Sequence, residues 1–404
     1  MANTYKFMDM VAKEALAELH EQAAFLKTVD RQYDSSFGKE GAKIGSTLRI
    51  RKPNEFTVRT GNQMVIQQIE EQTDTLTLST LKGVDMEFNH VDMKLNTAST
   101  KEVSEFNSRY IRPAILKLVS TIEAEGIRYA TKNTADIVGT PGTAINSISV
   151  PQLMSARLDQ HTAPMDERYT QIDSVSNATL ITGLASLMNP QKDISRQYIK
   201  GSIGEMADSN FIKNNRIWTM QNSADVLGEI NAGTLTSGIT ALTVDGLSAA
   251  PAEGMVFTVE GIYDIHPETK DAYPHLKQFV VTAGATTTNL TFSPAMIFDP
   301  ANPRQNCSGT PADNNDITFV GAANSNYLQP LMYHRDAFQF VTTNLQLVDD
   351  ADKCAVATEE GFSIRVWRQS DIYNNRAVIR LDVIYGFGAL RKEWAVRGIG
   401  QANA

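Results

Sequence analysis

Four residues with metal-binding side chains stand close together in the chain, at Asp85, Glu87, His90 and Asp92. Carboxylates and imidazoles bind transition metals when their donor atoms converge on one point. The stretch Val84–Phe88 alternates apolar and polar residues, which predicts a half-buried strand with both acids on its solvent face. Because a solvated strand accounts for these side chains without an ion, we expect no metal site.

Histidines, glycine motifs and paired acids are present, but none has the spacing of a metal, nucleotide-binding or catalytic site. The histidines, at positions 20, 90, 161, 266, 275 and 334, form no H-x-x-H or H-x-x-x-H pair. The G-x-G sequences at 386–388 and 398–400 do not continue as a dinucleotide fingerprint, and neither a phosphate-binding loop nor a nucleophile elbow occurs. Adjacent acids such as Glu359 and Glu360 point to opposite faces of a strand. We predict no catalytic residue, no cofactor and no metal ligand, and therefore no enzyme.

A long two-stranded arm is predicted between residues 44 and 79. Alternating β-formers occupy Thr47–Arg51 and Phe56–Arg59, Thr60–Gln63 supplies a turn, and Met64–Ile66 and Thr75–Ser79 form the return. At about 3.3 Å per residue, an arm of about 15 residues per strand reaches roughly 50 Å. An isolated hairpin is marginal in water, so the arm needs a surface to lie against. We expect a neighbouring copy of the chain to supply that surface.

Charged residues of both signs line this arm. They could hold an anion, or they could set the register between subunits by facing each other across the limbs or across a subunit boundary. We interpret them as a register device and as the candidate inter-subunit contacts; they are Arg49, Arg51, Lys52, Arg59, Glu70, Glu71 and Asp74.

The composition is typical of a globular chain with two or three domains. Of 404 residues, 42% are apolar and 21% charged, and the formal net charge is −9. This balance argues against a strongly basic nucleic-acid-binding face, and we expect no sequence-specific nucleic-acid binding. No apolar stretch approaches the length of a membrane span, and no signal peptide is visible. Cys307 and Cys354 are expected to be reduced thiols in the cytoplasm.

Helical periodicity predicts several further elements. Met8–Val29 reads as an amphipathic helix, and the capping box Ser99–Glu102 opens another. Pro113 predicts a break or sharp kink and a fresh helix from Pro113 to Asn133, with Gly126 on its apolar face in close contact with a sheet or another helix. Shorter helices are predicted at 149–161, 174–188 and 191–200.

From residue 234 to 320 the chain is rich in Gly, Thr, Ala and Pro, and short alternating runs are separated by turns. This pattern predicts a small all-β barrel or sandwich inserted into an α+β parent. Its predicted strands are Ile239–Val244, Met255–Val259, Phe279–Thr282, Asn289–Phe292 and Ile317–Val320. The parent strands are expected at Arg216–Met220 and, after Gly321, at Phe338–Thr342, Phe362–Trp367 and Ala377–Tyr385.

The order of these parts resembles the major capsid (coat) proteins of tailed double-stranded DNA phages, the Hong Kong 97-type fold, and more narrowly the podophage branch with an inserted β-barrel. The resemblance is spread over Leu26–Gln32, Gly45–Pro53, the helix from Pro113 to Asn133, Gly254–Val259, Gln278–Thr282, Glu360–Val366 and Arg380–Val383 with the glycine-rich tail.

This resemblance implies a domain plan. The plan is an N-terminal arm (1–40), an extended loop (41–82), a peripheral domain with the spine helix (83–140), an axial domain (141–232), an inserted β-barrel (233–321) and a return to the axial and peripheral strands (322–404).

The resemblance also implies a function and a set of partners. Hexamers and pentamers would form an icosahedral head around double-stranded DNA, with a scaffolding protein, a portal protein and possible decoration proteins. Assembly would take place in the host cytoplasm, without a membrane. The threonine- and glycine-rich region 234–320 leaves one alternative, a β-rich adhesin or receptor-binding protein.

Overall fold

The computed structural model describes residues 23–31, 47–51, 56, 58, 61–64, 66, 73–89, 107–184, 204–231, 233, 235–348, 352–359, 362–371, 373–400 and 402–403. The predicted elements at 8–22, 99–102 and 191–200 lie outside these residues.

Strands dominate the described chain, and three α-helices accompany them. The helices are α1 Arg112–Asn133, α2 Ser149–Gln160 and α3 Ser174–Leu184. The strands are β1 Thr47–Arg51, β2 Thr73–Thr77, β3 Thr80–Asn89, β4 Asp136–Val138, β5 Arg168–Ile172, β6 Glu205–Met206, β7 Ser209–Lys213, β8 Thr219–Gln221, β9 Leu227–Ile230, β10 Ile239–Asp245, β11 Val256–Ile265, β12 Ala272–Val281, β13 Asn289–Met296, β14 Asp316–Phe319, β15 Asn326–Leu328, β16 Leu331–His334, β17 Phe338–Thr342, β18 Lys353–Glu359, β19 Phe362–Asp371, β20 Arg376–Ala389, β21 Ala395–Gly398 and β22 Ala402–Asn403. Short 3₁₀ turns lie at Arg335–Ala337 and Lys392–Trp394.

The chain divides into two units. The first draws on Met1–Ile50, Thr73–Gly126 and Phe338–Gly388, and the second on Arg51–Gln72, Ile127–Ala337 and Ala389–Ala404.

The first unit is built on an antiparallel sheet. Its strands run in the order β17-β20-β19-β18, and β3 pairs along β20 from Asn89 opposite Arg376 to Thr80 opposite Tyr385. Residues of β3 alternate between exposed and half-buried, as the sequence predicts for a strand with one covered face.

Helix α1 carries the predicted apolar face, and Ile115, Leu118, Val119 and Ile122 are buried. At Gly126 an added Cβ would lie 2.8 Å from the ring of Phe387 on β20, so the predicted close contact is with a strand of the sheet. The helical backbone runs through Pro113 without the predicted break. A π-helical turn at Asn107–Ile111 precedes α1 and places the proline in its first turn, where the missing amide costs little.

The helix predicted over Met8–Val29 is wrong at its C-terminal end, because residues 23–29 form turns and bends and no helix. The buried carboxylate of Glu123 on α1 accepts hydrogen bonds from the backbone amides of Ala24 (2.9 Å) and Phe25 (2.7 Å). Asp30 then forms a parallel bridge to Gln339. These long-range contacts outweigh the local helical periodicity.

The second unit contains a six-stranded sheet in the order β4-β21-β16-β5-β7-β6, with parallel pairs at β4/β21 and β5/β7. Met154 and Leu158 of α2 and Leu180 of α3 pack with Phe211 and Met332 in one apolar core beside this sheet. A smaller sheet joins β22, β15 and β8. The predicted strand at Arg216–Met220 starts only at Thr219, because the chain turns at Asn214, whose side-chain oxygen accepts the amide of Arg216.

The inserted region forms a closed barrel in the order β10-β13-β12-β11-β14-β9. Phe257, Phe279, Phe292 and Phe319 meet in its core with ring centroids 5.2–5.7 Å apart. Closure leaves the sheet no open edge. The prediction of an α+β chain with an inserted all-β domain is confirmed. The first barrel strand, β9, begins at Leu227, ahead of the domain boundary expected at residue 233.

Candidate functional site

The extended loop is the first candidate site. Arg49 and Arg51 are exposed on β1, and Ile50 between them is buried. β1 pairs with β2, where Asp74 is half-buried and its Oδ1 accepts the amide of Thr75 at 2.9 Å. The other predicted contact residues, Lys52, Arg59, Glu70 and Glu71, lie outside the described residues. The register device therefore stays a prediction.

Beyond β1 the described part of the loop exposes large apolar side chains. Phe56 is 63% exposed, Val58 97%, Met64 76% and Ile66 80%. Gly61 has φ +98°, a left-handed conformation that fits the predicted turn at 60–63. A run of exposed apolar side chains marks a surface that gains free energy when another surface covers it.

Asp85 and Glu87, the acids considered above as metal ligands, lie on the exposed face of β3. Glu87 pairs with Arg376 of β20 at 3.0 Å, and Asp85 lies 3.8 Å from Arg380. His90 and Asp92 are outside the described residues. Paired surface charges account for Asp85 and Glu87.

A second candidate lies in the second unit, where β11 and β12 of the barrel meet β4 and α2. We call it the polar junction; its members are Asp136, Arg157, His161, Asp264, His275 and Lys277. Lys277 Nζ lies 2.9 Å from Asp264 Oδ1, and His161 Nε2 lies 3.1 Å from Asp136 Oδ2 and 3.7 Å from Asp264 Oδ2. Four of the six, Asp136, His161, Asp264 and Lys277, are buried.

Ion pairing keeps both aspartates of the polar junction ionised. Burial alone would raise the pKa of Asp264, but Lys277, His275 and His161 outweigh it and hold that pKa well below its usual range. Burial opposes ionisation of Asp136 in the same way, and His161, Lys277 and Arg157 lower its pKa. The pKa of Lys277 is raised because Asp264 and Asp136 outweigh the effect of its burial.

Neutral hydrogen bonds surround the polar junction. The side-chain amide of Gln278 donates to the carbonyl of Ile137 at 3.0 Å and accepts its amide at 2.7 Å, as a neighbouring strand would. Tyr273 stacks on His275 and donates to the carbonyl of Gln160 at 3.3 Å. The barrel is thus joined to β4 and α2 through polar contacts.

Sequence reasoning missed the polar junction, because its members come from four elements far apart in the chain. Asp136 and Lys277, for example, are 141 positions apart in the sequence. The available signal was weak: Asp264 and Lys277 place charged residues on the barrel strands β11 and β12.

Together these features define a structural protein with an exposed apolar loop and an inserted barrel. The model of the P22 coat protein family, described as "P22 coat protein - gene protein 5", matches residues 1–400. The chain belongs to the P22 coat protein family, and it is a phage major capsid protein. The predicted resemblance to tailed-phage coat proteins of Hong Kong 97 type is confirmed, and the adhesin alternative is not favoured.

Solved structures similar to this chain include proteins of other phages. One is described as "Mycobacterium phage Che8", with 12% identity, a TM-score of 0.49, and 93% of this chain and 90% of that chain covered. Another is from the capsid of Cyanophage P-SCSP1u (12% identity, TM-score 0.43, 90% and 85% covered). A third is from the mature capsid of bacteriophage PhiM1 (10% identity, TM-score 0.43, 91% and 87% covered). No curated protein matches the chain.

Family membership places this chain in the virion capsid as one of many copies in a shell. It also indicates a structural role over an enzymatic one. Among the helices in the described ranges, none combines the length and the apolar character needed to cross a membrane.

Proposed function

We propose that the extended loop of this capsid subunit packs on a neighbouring subunit, and that this contact drives closure of the shell. The exposure of Phe56, Val58, Met64 and Ile66 carries the proposal. Covering an apolar side chain of this size contributes about 1.5–3 kcal/mol, so a few of them give each contact a modest free energy. A closed shell repeats the contact, and repetition makes assembly strongly favourable.

The charged residues of the loop have a separate part in this proposal. Arg49 and Arg51 are exposed on β1, where a neighbouring subunit could contact them. Opposite charges at a subunit boundary suppress wrong pairings more than they add affinity. We assign Arg49, Arg51, Lys52, Arg59, Glu70, Glu71 and Asp74 to this role, so their loss should produce misassembly more than failure to bind.

The finer assembly plan extends the same proposal. Hexamers and pentamers form an icosahedral head around double-stranded DNA in the host cytoplasm, with a scaffolding protein, a portal protein and possible decoration proteins. The net charge of −9 supports a wall that does not retain packaged DNA. The division into N-terminal arm, extended loop, peripheral, axial and inserted domains belongs to this plan, and the role needs no catalysis.

Substitution of one loop residue tests the proposal. Val58→Glu places a charge where the account requires an apolar contact, and Leu153→Glu makes the same change at an exposed position of α2 (55% exposed). Both variants are co-expressed with the scaffolding protein, and particles are counted by negative-stain electron microscopy. We expect Val58→Glu to abolish particles while the chain stays folded by circular dichroism, and Leu153→Glu to assemble.

Normal particles from Val58→Glu would refute the loop contact. Deletion of residues 52–72 provides a second test of the proposal. If the shortened chain still forms closed shells of ordinary size, the loop does not drive assembly.

A further inference from the structure

We propose that Asp136, His161 and Asp264, with His275 at the rim, form a binding site for a divalent transition-metal ion such as Zn²⁺, which staples the inserted barrel to β4 and α2. The metal would join two elements outside the barrel to two strands of it. This inference does not rest on the loop contact proposed above.

The spacing of the ligand atoms supports the proposal. One donor atom each from Asp136, His161 and Asp264 lies within 4.8 Å of the others. His161 Nε2 is 3.1 Å from Asp136 Oδ2 and 3.7 Å from Asp264 Oδ2, and His275 Nε2 is 3.4 Å from Asp264 Oδ2. Ligands about 2.0–2.1 Å from a tetrahedral Zn²⁺ are about 3.3 Å apart. The two separations around His161, 3.1 and 3.7 Å, lie close to that value.

Buried atoms without hydrogen-bond partners give an independent indication. His161 Nε2 and Asp136 Oδ1 are shielded from solvent and have no hydrogen bond of good geometry, although Nε2 lies only 3.1 Å from Asp136 Oδ2 and both side chains are more than nine-tenths buried. A buried polar atom without a well-formed hydrogen bond has lost its contact with water without full compensation. A metal ion between His161 and the two carboxylates would bind the imidazole nitrogen and neutralise the carboxylates.

The charges around the site are compatible with a bound cation. Lys277 engages Oδ1 of Asp264, which leaves Oδ2 of that carboxylate facing His161 and His275. The Cys307 thiol stays protonated because burial raises its pKa to about 12, and we do not count it as a ligand.

Arg157 is the competitor for this site. Its Nη1 contacts His275 Nε2 and lies 3.7 Å from Asp264 Oδ2, and its Nε lies 3.9 Å from Asp136 Oδ1. In the absence of metal, Arg157 and Lys277 balance the two carboxylates. When the ion binds, the guanidinium must move toward solvent, and His275, which lies outside the group of converging ligand atoms, can then approach as a fourth ligand. His275 is partly exposed.

Metal content and thermal unfolding of the full-length chain test the proposal. The chain is purified without chelator, and its zinc is measured by plasma mass spectrometry. We expect about one Zn²⁺ per chain, and a thermal midpoint that falls by at least about 4 °C after EDTA and returns when Zn²⁺ is added in excess. His161→Ala should lose both the metal and the response to EDTA.

His334→Ala is the matched control. His334 is also buried and has aspartates at 4.0 and 3.9 Å, but it lies outside the polar junction. Its metal content should equal that of the unmodified chain.

Replacement of zinc by Co²⁺ uses the unmodified chain, so this test remains valid even if His161→Ala fails to fold. Tetrahedral coordination by nitrogen and oxygen gives Co²⁺ an intense visible absorption, which we expect in the unmodified chain. A chain that carries no metal, shows no change in midpoint with Zn²⁺ and gives only the spectrum of hydrated Co²⁺ would overturn the proposal. The cluster would then be an ion-pair network of Asp136, Asp264, Arg157 and Lys277 alone.

Discussion

Asp382 of β20 lies directly opposite Gly83 of β3, and the buried carboxylate fills the space that a side chain at position 83 would need. Asp382 accepts hydrogen bonds from Arg365 and Arg380, each at 2.7 Å. A Cβ added at Gly83 would lie 2.5 Å from the Leu381 carbonyl oxygen and 2.7 Å from Asp382 Oδ1. The glycine therefore makes room for a buried ion pair in the sheet.

Gly83→Ala is accordingly expected to destabilise the chain by about 1–3 kcal/mol, because the strand must shift to relieve the overlap. Urea denaturation of the full-length chain measures the change. Gly309→Ala is the control, since an added Cβ meets no atom within 4 Å there. Equal stability of the two variants would show that β3 and β20 are not paired in this register.

Glu123→Ala is expected to release residues 23–31 from α1. The buried carboxylate is the acceptor for the amides of Ala24 and Phe25. Its loss leaves the buried Phe25 amide without this acceptor at about 1–3 kcal/mol, and the half-buried Ala24 amide at less. Hydrogen–deuterium exchange should show faster exchange in 23–31. Lys117→Ala changes an exposed position of α1 and should leave the exchange rate of residues 23–31 unchanged. An unchanged exchange rate in Glu123→Ala would contradict the contact.

Asp264→Asn should destabilise the metal-free chain at neutral pH by about 3–5 kcal/mol, because it leaves Lys277 buried without its partner. The pKa of Asp264 is lower in the folded chain than in the unfolded chain. The ion pair therefore contributes fully to the free energy of unfolding above the unfolded-state pKa, which is near 4. This contribution is lost as the pH falls toward the folded-state pKa. Denaturant unfolding from pH 7 to pH 3 should therefore show the gap between the unmodified chain and the variant narrowing below about pH 4. Asp313→Asn, at an exposed carboxylate, is the control. A gap that is constant with pH would contradict the ion pair.

Cys307 is expected to resist alkylation in the native chain at pH 8. It is buried and its pKa is raised to about 12, so almost no thiolate is present. Labelling with iodoacetamide, followed by mass spectrometry, should modify Cys307 only under denaturing conditions. Rapid native modification would show that the barrel opens readily near this residue.

Local pattern was sufficient for the elements whose contacts lie close in sequence. The apolar positions of α1 repeat at helical spacing, and the barrel strands alternate between turns, so both were predicted from the sequence. The helical pattern before Val29 failed because Glu123, about one hundred residues away, holds the amides of Ala24 and Phe25 in turns. Tertiary hydrogen bonds of this kind leave no local periodicity.

The candidate sites differ in the same way. The loop could be predicted from the sequence because its charges and β-formers are contiguous; Arg49 and Arg51 are exposed, and their contact role stays a prediction. The polar junction was invisible because Asp136, His161 and Asp264 meet only after the barrel docks against β4 and α2.

Methionine oxidation tests the loop contact most directly, since it needs no substitution. Met64 is 76% exposed in the single chain, and Met220, which is 1% exposed, provides the buried reference. The oxidation rates of both residues by dilute peroxide are measured by mass spectrometry for unassembled chains and for purified particles. The account predicts that Met64 oxidises rapidly in free chains and slows to near the rate of Met220 in particles. Equal oxidation of Met64 in the two states would contradict it.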